Sequence, residues 1–181
     1  MTIAIKAGLM GKSKLRIGFN FCHSTEPDLC LSEDEAQATA HLFNALPPIA
    51  LTPDEYIKQR RLGQAQRWPS VKLMPGAERL IAHLAANKIP MAIATGSGRV
   101  EYELKTNHLQ DTFKLFEGRA ICASDPQMAG RNSKPAPDVF IEAAKLLGVD
   151  LPKQGAEGLV FEDAVPGMQA GVAAGAHGEL V

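Results

Sequence analysis

The chain has 181 residues, 45% of them hydrophobic and 22% charged, and a net charge of −1. That suits one domain with an ample core, or a small domain carrying an insertion. A balance so near neutral offers no attraction for nucleic acid or an anionic membrane surface, and no apolar run approaches the ~18 residues of a spanning helix.

Residues 1–70 are the less regular part. "MTIAIKAGLMGKSK" lacks the long apolar stretch of a secretory signal. Its "GLMGKS" is close to a nucleotide-binding loop, but Lys6 stands where the first glycine is required, and no strand is expected before it. Between residues 13 and 35 no sustained period emerges, and that segment cannot be placed. It holds Cys22 and Cys30, which with Cys122 make an odd set, against a disulfide scaffold and in favour of a reducing interior. Cys22, His23, Cys30 and His41 follow none of the usual zinc spacings. "EDEAQATAHLFNAL" predicts a helix. "LTPDEYIKQRRLGQAQRW" predicts another, with Thr52 as cap, Pro53 at its first position and Glu55 completing a capping box.

From about residue 71 the pattern is regular. "PGAERLIAHLAANK" predicts a helix starting at Pro75, with Ala77, Leu80, Ile81, Leu84 and Ala85 on one face. "IPMAIATGSG" reads as a short buried strand over Met91 to Ala94 that opens into a glycine-rich turn. After a mixed segment, "RAICASD" is a second short apolar run. "KPAPDVFIEAAKLLG" predicts a helix behind Pro137 that buries Val139, Phe140, Ala143, Ala144 and Leu147 and stops at Gly148. "GLVFEDA" is a third strand and "VPGMQAGVAAGA" one more helix, rich in small residues for close packing.

Helices alternating with short, continuously apolar strands predict an α/β fold with a parallel sheet covered on both faces. Ligands in such sheets gather at the carboxyl ends of the strands, where this chain places Thr95-Gly96-Ser97, Ser124-Asp125 and Glu162-Asp163. Thr95, Gly96 and Ser97 offer a hydroxyl and unhindered N–H groups to an anionic oxygen. Lys134 is a cation just before a proline-stiffened turn into a helix. Adjacent strand residues point to opposite faces, so Glu162 and Asp163 can approach one ion only where strand gives way to loop, and Ala-Val-Pro-Gly supplies that break. Two hard carboxylates with few other donors suit Mg²⁺. Singly each has an ordinary explanation: small residues ending a strand, a surface lysine, acids at a helix start. In order, they read as phosphate donor, lysine and metal carboxylates.

The ordered set "IAIATGS", "SKPAPDVF" and "LVFEDAVPG" resembles the haloacid dehalogenase-like (HAD) hydrolases, over roughly residues 47–176. Thr95 matches the second family motif, Lys134 the third, and Asp163 with Glu162 the fourth. The run "PSVKLMPGAERLIAHLAANKIPMAIATGS" is especially similar to the pseudouridine-5′-phosphatase and glycerol-phosphatase branch. There a Met-Gly-(Arg/Lys) stretch lies in a helical cap, and Met10-Gly11-Lys12 is similar, which makes Gly11 and Lys12 substrate contacts. The resemblance implies a Rossmann-like core over 71–181, a partial helical cap over 1–70, Thr95 and Lys134 as catalytic phosphate ligands, and Mg²⁺ on Asp163 and Glu162. It implies cytosolic hydrolysis of a small phosphomonoester, with neither nucleic acid nor membrane as partner.

That chemistry runs through an aspartyl phosphate, from an Asp-x-Asp-x-Thr motif on the central strand. The aspartates here are Asp28, Asp34, Asp54, Asp111, Asp125, Asp138, Asp150 and Asp163, and no two stand two apart. The expectation is therefore a truncated or misassembled version of the fold. It lacks its first strand, with unpaired edges near 91–94 and 158–161, and stops at "AGAHGELV" where the family continues into a further strand. Two alternatives remain open: a catalytically inactive remnant that binds phosphate weakly, and a phosphosugar mutase of the same superfamily.

Overall fold

A computed structural model describes residues 16–19, 52–151 and 158–180. In chain order its elements are β1 (Arg16–Phe19), α1 (Pro53–Arg67), α2 (Ala77–Ala86), β2 (Met91–Thr95), α3 (Arg99–Thr106), α4 (Gln110–Phe113), β3 (Ala120–Cys122), α5 (Asp138–Leu146), β4 (Gly158–Glu162), α6 (Val165–Ala173) and β5 (His177–Leu180). All strand pairs are parallel, in the order β3-β2-β1-β4-β5. The fold is the expected Rossmann-like α/β core.

Strand β2 shows how the layers arise. Successive side chains of a strand point to opposite faces. Met91 and Ile93 enter a core with Leu80, Ile81 and Leu84 of α2 and with Phe113 and Phe116, while Ala92 and Ala94 face Val139, Phe140 and Ala143 of α5. The alanine face leaves room for close helices. Gly171 of α6 approaches so near that a Cβ there would meet the side chain of Val160 at 3.0 Å. Helix α5 ends as expected, with Gly148 at φ +69° after Leu147.

The sheet corrects one expectation directly. Its first strand is not missing. Arg16–Phe19 lies between β2 and β4, with Ile17 level with Met91 and Leu159, and Phe19 level with Ile93 and Phe161. The strands near 91–94 and 158–161 keep a shared neighbour, and the exposed edges do not arise there. The strand comes from inside the segment that resisted placement, because two apolar residues beside an Arg and a Gly make no pattern of their own. The further strand is present too. His177–Leu180 of "AGAHGELV" extends the sheet beyond β4, with Leu159 level with His177.

Helix α1 carries the predicted capping box, Glu55 N–H donating to Thr52 Oγ1 at 3.3 Å and Thr52 N–H to Glu55 Oε2 at 2.9 Å. It runs into a 3₁₀ turn, Trp68–Ser70, whose indole is buried. The helix predicted over "EDEAQATAHLFNAL", and Gly11 and Lys12, lie outside the described residues.

Candidate active site

The carboxyl ends of β2 and β4 bring three distant stretches together. Thr95 closes β2 fully buried. Its Oγ1 accepts the Ser97 N–H at 3.1 Å, which folds Gly96-Ser97 into a tight turn ahead of α3. The turn is laced to the end of β3: Ala123 N–H donates to the Ser97 carbonyl at 3.0 Å, and Arg99 N–H to Ser124 Oγ at 2.8 Å.

Ser124-Asp125, the polar pair at the end of β3, is a clamp. Asp125 Oδ1 accepts Arg99 Nε at 3.0 Å, and Oδ2 accepts both an Arg99 terminal nitrogen and the Cys122 N–H. The Arg99 guanidinium also donates to the Ala120 carbonyl at 3.1 Å and lies over the Tyr102 ring. Fork-to-carboxylate geometry of this kind fixes two loops relative to each other.

Lys134 reaches the site from the loop before α5. Its Nζ donates to Glu162 Oε1 at 2.5 Å and to the Ala94 carbonyl at 3.5 Å, and lies 4.8 Å from the centre of the Phe140 ring. The side chains of Lys134 and Glu162 are 13% and 0% exposed. Burial pulls the Lys134 ammonium below the usual lysine value, against the opposing attraction of Glu162 and then Asp163. The loop is itself anchored: Arg131 donates to the buried carboxylate of Glu142 at 2.7 Å, which also accepts Lys145.

Helix α6 packs directly on Glu162. A Cβ at Gly167 would lie 2.0 Å from Glu162 Oε2, so this position admits only glycine while the carboxylate stays where it is. Asp163 follows, half-buried, in the loop that leads into α6. Glu162 Oε2 and Asp163 Oδ1 are buried oxygens that receive no hydrogen bond, although both side chains make other interactions. Among the described residues no cluster of three or more His, Cys, Asp or Glu stands ready for a metal. Two adjacent carboxylates nevertheless fit Mg²⁺ by donor type, since it binds proteins through one or two carboxylate oxygens and fills its other positions with water and phosphate oxygen. Glu162 Oε1 is already engaged by Lys134.

So Thr95, Gly96, Ser97, Lys134, Glu162 and Asp163 meet at one end of the sheet. The sequence reading missed Arg99, Gly167 and Lys105. The last is a lysine on the inward face of α3, beside Tyr102 and Thr106, and only that helical spacing could have flagged it.

Lys105 is 8% exposed; its Nζ donates to Ser97 Oγ at 2.9 Å and sits 4.7 Å from the centre of the Trp68 ring. Burial lowers it from 10.5 to about 8, opposed first by Glu101 of the same helix. Cys122 of β3 is its other titratable neighbour; burial pushes that thiol up to about 12, so it is neutral and supplies no counter-charge. A lysine with a lowered folded-state value binds fewer protons folded than unfolded between about 8 and 10.5. Stability in that window therefore rises with pH on account of this group, and the full penalty applies below it. Lys105→Met should be the more stable protein near pH 7, by an advantage that shrinks by about 3 kcal/mol towards pH 10.5. Urea denaturation of both proteins across that range checks it, and a pH-independent difference would contradict it.

A model of the haloacid dehalogenase-like hydrolases matches residues 27–175. The chain belongs to that family. Among HAD relatives, a Drosophila melanogaster protein named probable pseudouridine-5′-phosphatase is 43% identical over 122 residues, 67% of this chain and 51% of that one. The (DL)-glycerol-3-phosphatase 2 of Arabidopsis thaliana is 36% identical over 132 residues, 73% of this chain and 53% of its own. The crystal structure of a HAD hydrolase, family IA, variant 3, from Entamoeba histolytica superposes with a TM-score of 0.65 at 23% identity. It covers 91% of this chain and 82% of its own, a likeness of fold. The chain spans about half the length of the curated relatives it matches.

Proposed function

We propose that the chain is the phosphate- and Mg²⁺-binding part of a HAD-type phosphomonoester hydrolase acting on a small metabolite of the pseudouridine 5′-phosphate or glycerol phosphate kind. One observation carries the reading: Lys134 Nζ joins Glu162 to the Ala94 carbonyl, one residue before Thr95. This puts a cation between a hydroxyl-bearing turn and two carboxylates, the arrangement needed to neutralise a phosphoryl group from several sides.

Thr95 and the Ser97 hydroxyl would orient equatorial phosphate oxygens, with Lys134 countering their charge. Asp163, with Glu162 behind it, would hold Mg²⁺, which supplies Lewis-acid polarisation of the phosphoryl oxygens when bound. Phe19 ends the strand between those of Thr95 and Glu162. In the sequence it is followed by Asn20-Phe21-Cys22, which lie outside the described residues and include no carboxylate. That supports a second reading, in which the chain binds phosphate and turns over little or nothing. A partial cap built from residues of 1–70 other than the core strand Arg16–Phe19, the Gly11 and Lys12 contacts and a cytosolic setting belong to the same proposal. Among the described residues no helix is long and apolar enough to cross a membrane.

Calorimetric titration of orthophosphate into the full chain tests it. Saturable binding that tightens with Mg²⁺ is expected. Heat no greater than dilution, with and without Mg²⁺, would refute the proposal.

A further inference from the structure

Ser97 is held from three sides. Its N–H is spent on Thr95 Oγ1 and its carbonyl on the Ala123 N–H, while its hydroxyl oxygen receives Lys105. An ammonium only donates, so Ser97 Oγ is the acceptor in that contact, and its own hydrogen is left for a different partner. A hydroxyl that accepts from a cation is also a stronger donor. On its other side the same ammonium faces the indole of Trp68, in the turn that closes α1. One buried side chain thus touches the turn at the end of β2 and the base of α1.

We propose that Lys105 is a positioning residue, which presents the Ser97 hydroxyl as a donor to a bound phosphate oxygen and ties that turn to Trp68. The inference rests on the reading of the 95–97 turn as a phosphate site, and goes beyond it in assigning work to a residue that never meets the ligand. A structural role alone, in which the lysine stem merely fills space, would leave phosphate affinity untouched when the stem is kept.

Four full-length proteins decide it: wild type, Ser97→Ala, Lys105→Met and the double variant, each titrated with orthophosphate and Mg²⁺. Methionine keeps the volume and packs well on an indole; should it fail to melt cooperatively, Lys105→Leu replaces it in the same cycle. Lys105→Met should weaken phosphate by about tenfold, the worth of one charge-assisted hydrogen bond. The double variant should be no weaker than Ser97→Ala, because the lysine acts through the serine. Trp68 is the chain's single tryptophan. Its emission should change as wild type saturates with phosphate, and not as Ser97→Ala saturates. Unchanged affinity in Lys105→Met, losses that multiply in the double variant, or a silent Trp68 in saturated wild type would each overturn the inference. If wild type binds no phosphate at all, the site reading fails first and takes the inference with it.

Discussion

Replacing Lys134 by methionine is expected to cost about 3–5 kcal/mol of folding stability and to remove measurable phosphate affinity. The stability loss does not come from the lysine's own contacts. Glu162 is wholly buried under α6, pinned against Gly167, and Lys134 is its counter-ion. Without the ammonium, a carboxylate stays in a dry site or takes up a proton there, and either is costly. A second change, Glu162→Gln in the same chain, should restore at least half of the lost stability and none of the phosphate affinity. Urea denaturation and calorimetry on the three proteins read both quantities. A variant as stable as wild type would mean that Lys134 and Glu162 are not the pair described.

The second large effect is a gain. Asn20→Asp with Cys22→Asp writes Asp-x-Asp immediately after Phe19. That residue is level with Ile93, two before Thr95, and with Phe161, two before Asp163. Asn20 and Cys22 are outside the described residues; the substitution uses their place in the sequence. In the HAD family that pair supplies the nucleophile and the acid that protonates the leaving oxygen. Loss of a nucleophile in hydrolases costs many orders of magnitude. The double variant should therefore raise Mg²⁺-dependent hydrolysis of p-nitrophenyl phosphate by at least about a hundredfold over the unaltered chain. Rates that stay equal while phosphate still binds would show that the central strand does not lead into the reaction centre.

Much of the core was legible because its signals are local. Leu80, Ile81 and Leu84 repeat at helical spacing, Met91 to Ala94 form a continuous apolar run, and Thr52 with Glu55 spells a helix start within four residues. β1 was not legible. "RIGF" owes its strand to partners more than 70 and 140 positions away, and a strand so short takes its identity from the neighbours it packs between. β5, "HGEL", is a polar edge strand with the same difficulty. At the site, the residue types at the strand ends could be read, whereas their couplings are tertiary. Nothing in the spacing of Arg99 and Asp125, of Gly167 and Glu162, or of Lys105 and Trp68 announces that they touch.

The most direct test of the account is a crystal structure of the full chain grown with Mn²⁺ and tungstate, both located by their anomalous scattering. Tungstate between the Thr95–Ser97 turn and Lys134, with Mn²⁺ on Asp163, is the predicted result. Tungstate bound elsewhere, with Lys134 and Glu162 still closed on each other and no metal at Asp163, would contradict it.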